Sequence, residues 1–169
     1  MARYYFLLIA FAQQSDAETG AALLRERTLR LSSGREVRCT VRVSTASADH
    51  HGWVYCEPHG VSLGAAHAPW TESADQLDEV AAQLYAALTD LQRFTCAIAG
   101  WEVADLFLPD ADSGYADLRV EPRDFSSAGW SGLVISDSLW ASLDRPTTFQ
   151  PFCPGYVWQP YRSLSISGW

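Results

Sequence analysis

Residues 4–12 read YYFLLIAFA, apolar at every position. The run is too short to cross a bilayer as a helix. It predicts a strand buried on both faces. A second reading stands beside that one. Arg3 would form a charged n-region and Ala10-Phe11-Ala12 a cleavage site, as in a secretory signal. The run is shorter than ordinary signals and rich in aromatic residues, which favours the strand. Residues 13–20 are polar and read as a loop opening a short helix over 21–27. Residues 28–31 and 36–43 then alternate polar and apolar around Ser32-Ser33-Gly34, a hairpin signal. In the second arm Val37, Cys39, Val41 and Val43 share one face, and Arg38, Thr40 and Arg42 share the other. Residues 53–56 predict another short strand.

The clearest helix is expected over 72–94, where Leu77, Val80, Ala81, Leu84, Leu88 and Leu91 recur at three- and four-residue spacing. Thr71 or Ser73 can cap it, and Ser73 with Gln76 fits a capping box. Strands are expected at 95–103, 116–121 and 132–135, with a turn at 110–114. Ser136 or Asp137 can cap a short helix through Leu143. The last 25 residues are dense in Pro and aromatics and read as a tail folded back over the sheet. The expected fold is therefore α+β in one domain, 1–169. A largely antiparallel sheet packs against one long helix, and an aromatic- and Pro-rich C-terminal tail follows.

Composition narrows what such a fold can do. The net charge is −8, with 12 basic and 20 acidic residues. That argues against nucleic acid as the main partner, because phosphate binding needs positive charge. All the basic residues are Arg, and Asn is also missing. Both absences suit a high-GC, bacterial genome. They also remove P-loop lysines, Schiff bases and Asn oxyanion donors. The charge is uneven. Residues 1–44 carry seven Arg and four acids, or +3, whereas residues 45–169 carry five Arg and sixteen acids, or −11. An acidic face of this kind can steer a basic partner. Its plainer use is a solvated surface.

Candidate chemistry is densest in Asp49-His50-His51-Gly-Trp-Val-Tyr-Cys56-Glu57-Pro-His59, with His67 beyond. His and Cys bind zinc, but the spacing matches no standard site, so no metal or cofactor is expected. A nucleophile of Cys56 with His59 or His51 would need contact and a depressed thiol pKa. Gly129-Trp130-Ser131-Gly132 lacks nucleophile-elbow spacing, and His67, the last His, precedes the Ser. Asp110, Asp112, Asp117 and Glu121 imitate a calcium loop with its Gly misplaced. The four Cys are widely spread without a CxxC. They fit reduced, buried thiols better than disulfides. No catalytic residues are assigned.

Seven Trp, seven Tyr and strong acidity fit a protein that works by contact. Residues 149–161 read FQPFCPGYVWQPY. With the small, acidic character of the chain, this stretch resembles the small immunity proteins of bacterial toxin systems. That resemblance implies a non-catalytic, cytoplasmic inhibitor that neutralises a cognate, basic toxin or effector, with no nucleic acid or membrane partner. It assigns no individual residue. The acids and Trp of the helix start and the following segment are the expected contact surface: Glu72, Asp75, Asp78, Glu79, Glu102, Asp105, Asp110, Asp112, Trp101 and Trp130. Two alternatives remain open. One is a small enzyme with a pocket around residues 49–67. The other is a secreted carbohydrate-binding module using aromatic platforms.

Overall fold

The computed structural model describes residues 5–45, 52–61, 74–101 and 131–161. They form eight strands and three helices: β1 (Tyr5–Phe11), α1 (Gln14–Arg25), β2 (Thr28–Arg30), β3 (Glu36–Thr45), β4 (Gly52–Pro58), α2 (Ala74–Leu88), β5 (Phe94–Trp101), β6 (Val134–Ser136), α3 (Asp137–Ser142), β7 (Gln150–Cys153) and β8 (Tyr156–Trp158). The strands make one sheet in the order β2-β3-β4-β1-β5-β6-β8-β7. Every pairing is antiparallel. The fold is α+β, and the sheet dominates it.

The apolar run at the N-terminal end becomes β1, held between β4 and β5. Alternation divides its side chains between two cores. Tyr5, Leu7, Ile9 and Phe11 face α1 and α2. Phe6, Leu8 and Ala10 face the opposite way, with Cys96, Ile98, Leu133, Ile135, Phe149 and Val157. Leu139, Trp140 and Leu143, from α3 and its end, pack against that second cluster. The strand needs no polar face because both its sides are covered.

The one long helix expected over 72–94 is corrected to a shorter α2, one of three described helices. Helix α2 runs for 15 residues and stops at Leu88. Leu91 and Phe94 keep the helical spacing but belong to the turn and to β5. The break is local. Thr89, Asp90 and Leu91 donate their N–H groups three residues back. The Thr89 hydroxyl also donates to the Ala86 carbonyl at 2.7 Å. Arg93, at a φ of 61°, then turns the chain into β5. Helix α1 starts earlier than expected. It buries Ala17, Gly20, Ala21 and Leu24 on one stripe. These small residues let it lie close on the sheet. A Cβ on Gly52 of β4 would stand 2.3 Å from that of Ala17.

The tail is also corrected. Its described part enters the sheet as the β7–β8 hairpin, closed by Pro154-Gly155, with Gly155 at a φ of 87°. Pro151 sits on β7, the last strand in the order, where a residue without an N–H is tolerated. Tyr156 stacks on Phe94 with ring centroids 4.0 Å apart, and Trp158 meets Tyr85 edge-on. The caps and strands read for residues 62–73 and 102–130, including Thr71, Ser73 and the strand at 116–121, lie outside the described residues. Ser136 does cap α3, accepting from the Leu139 N–H at 3.3 Å.

Candidate functional site

The open face of β3–β4 gathers the most interface-like side chains among the described residues. Strand alternation turns Val37, Val41, Val54 and Cys56 toward the helices. Their neighbours Arg38, Thr40, Arg42, Trp53, Tyr55 and Glu57 therefore face the other way. Register pairs Thr40 with Glu57 and Arg42 with Tyr55 across the two strands. Trp53 and Tyr55 rest on the second apolar cluster and stay half-buried. Tyr55 contacts Phe6 with ring centroids 5.9 Å apart. Arg42 is exposed and reaches Glu57 at 3.0 Å. At the rim, the His59 ring meets the Thr40 hydroxyl at 2.6 Å.

Burial pushes the Tyr55 phenol above its ordinary value, so at neutral pH it is an uncharged donor on an apolar footing. Trp, Tyr and Arg are the side chains that most often anchor protein contacts. The patch has two such aromatics packed against a core, beside a guanidinium paired with a carboxylate.

The residues read as chemical candidates are separated. Cys56 points into the helix-side core, while His59 bonds to Thr40 on the opposite face. The Cys39 thiol and then burial raise the Cys56 pKa, the reverse of what a nucleophile needs. His50, His51 and His67 lie outside the described residues. Among the described residues no three of His, Cys, Asp and Glu come together as metal ligands. The Ser131 hydroxyl meets the Pro160 carbonyl at 3.5 Å.

Three of the acids expected at a contact surface are described. Asp75 is exposed on the first turn of α2. Glu79 accepts from the backbone N–H of Ser32 and from its hydroxyl, tying α2 to the β2–β3 turn. Asp78 and Tyr5 both lie close enough to Tyr161 to affect its phenol. Trp101 ends β5. Glu72, Glu102, Asp105, Asp110, Asp112 and Trp130 lie outside the described residues. Sequence reading missed Trp53, Tyr55 and Arg42 as a group. The available signal was the alternation of β3 and β4, taken together with their register.

A second surface lies along α1 and the α2–β5 turn. Two shallow clefts of about 350 and 480 Å³ share Leu23, Asp90 and Leu91. Leu23 is 46% exposed. Ion pairs join Arg27 to Asp90 and Arg93 to Asp16 along this surface. Among the described residues it offers neither an exposed aromatic nor a catalytic pair.

No protein-family profile, curated protein or solved structure matches the chain.

Proposed function

We propose that the chain is a non-catalytic binding protein, an immunity protein that neutralises a cognate bacterial toxin or effector by direct contact. The observation that carries this reading is the open β3–β4 face, where Trp53 and Tyr55 stand half-buried beside Arg42. Aromatic rings seated on a rigid sheet lose little conformational freedom on binding, which favours tight contact. The net charge of −8 favours a basic partner and speeds its approach. The acids at Asp75, Glu72 and 102–112 contribute to that long-range attraction, and the aromatic patch supplies short-range contact. Four free thiols suit a cytoplasmic protein.

The test is a pull-down and growth-protection assay against toxins encoded beside the gene, using wild type and Tyr55→Ala. The expected outcome is protection by wild type and loss of binding in the variant. Failure of wild type to bind or protect against every neighbouring toxin would overturn the reading.

A further inference from the structure

Two thiols lie on adjacent strands under the proposed contact face. The β3–β4 register sets Val41 opposite Cys56 and Cys39 opposite Pro58. Cys39 and Cys56 are therefore diagonal neighbours, and both belong to the helix-side core. Cys56 is buried and Cys39 only half-buried. The other two thiols are elsewhere. Cys96 is buried on the opposite face of β5, and Cys153 ends the edge strand β7.

We propose that Cys39 and Cys56 form an oxidation-responsive dithiol that closes to a disulfide when a peroxide reaches Cys39. Cys39 is the accessible partner. The neighbouring Cys56 thiol lowers its pKa, so Cys39 ionises first. Its thiolate attacks one peroxide oxygen, and the O–O bond breaks. Hydroxide leaves and is protonated to water, and Cys39 becomes a sulfenic acid. Oxidation removes the Cys39 thiolate, the main group holding the Cys56 proton in place, so the Cys56 sulfur can now give up that proton as it attacks the Cys39 sulfur, and the S–O bond breaks. The departing hydroxide takes the Cys56 proton as a second water. Two thiols and one peroxide give one disulfide and two waters.

The register also sets the character of the bond. Diagonal pairs in an antiparallel sheet have Cα atoms about 7–8 Å apart, whereas disulfides prefer less than about 7 Å. Closure must draw β3 and β4 together. The bond is then strained and easily reduced, which suits a switch rather than a permanent staple. This inference stands independently of the proposed partner.

The experiment uses reduced full-length protein carrying Cys153→Ser, treated with hydrogen peroxide, alkylated and digested with trypsin. Arg38 and Arg42 flank Cys39, so cleavage frees a four-residue peptide, CTVR. The expected product is that peptide joined to the one containing Cys56, with a mass lower by two hydrogens. A thiol reductant should release it. In Cys56→Ala, Cys39 should instead proceed to sulfinic acid, because nothing resolves the sulfenic acid. Overturning results are sulfinic acid at Cys39 with Cys56 still open to alkylation in the Cys153→Ser protein, a bridge between two copies, or no oxidation. Each can be read from the Cys153→Ser protein alone, whatever the folding of the second variant.

Discussion

A Cβ placed on Gly132 would lie 2.1 Å from the hydroxyl oxygen of Tyr85. Gly132 also has a φ of 88°, where an L side chain is strained. Gly132→Ala should therefore cost about 2–4 kcal/mol, summing the left-handed penalty and local overpacking. Urea denaturation gives the value. In a Tyr85→Phe background the steric part should be relieved while the backbone part remains. Strictly additive costs would show that the two residues do not compete for space.

The Tyr85 hydroxyl has a second task. Among the described residues, strand β6 pairs with β5 at Cys96 and Ala97. Beyond that point the Ala99 N–H donates to the Tyr85 oxygen at 3.1 Å. Tyr85→Phe should cost about 1–3 kcal/mol, because a buried N–H loses its acceptor.

Alkaline pH should unfold the protein. Burial, first among the causes, raises the pKa of Tyr5, Tyr85 and Tyr161 above the ordinary 10.0. The folded chain thus resists losing these protons, while the unfolded chain releases them near pH 10. Stability is complete below about pH 10 and declines as pH rises beyond it. Tyrosinate absorbance from these rings should appear together with loss of circular dichroism. A full, smooth titration near pH 10 with the fold intact would contradict this.

Glu79 and Asp75 should behave differently although both are acids of α2. Glu79 holds the Ser32 backbone, so Glu79→Ala should lower stability by about 1 kcal/mol or more. Asp75 is exposed, and Asp75→Ala should change stability by less than about 0.5 kcal/mol. Its effect should fall on the association rate and on salt dependence. Thermal melts and stopped-flow mixing with the partner separate the two.

Arg42 gives the cleanest separation of contact from fold. Its ion pair with Glu57 lies at the surface and should contribute under about 1 kcal/mol. Arg42→Ala should leave the melting temperature nearly unchanged while weakening partner binding roughly tenfold or more. Equal affinity in calorimetric titration would remove Arg42 from the contact surface.

Much of the fold was legible because hydrophobic period reports burial. The apolar run gave β1, alternation gave β3 with its two faces, and Gly34 marked the turn that it makes at a φ of 83°. Helix α2 was found but overextended, since Leu91 and Phe94 bury themselves without remaining helical. The β7–β8 hairpin was hidden by its prolines. Its signal was Pro154-Gly155 between short aromatic runs. The candidate site was least legible. Trp53, Tyr55 and Arg42 become neighbours only when register aligns two strands, and register is a tertiary property.

The position of β1 has a consequence for biosynthesis. Its sheet neighbours begin at Gly52 and Phe94, so an apolar segment leaves the ribosome well before either flank exists. Until β5 is made, one edge of β1 is an open template for foreign strands. Expression should therefore depend on chaperone supply and temperature more than the finished domain's stability suggests.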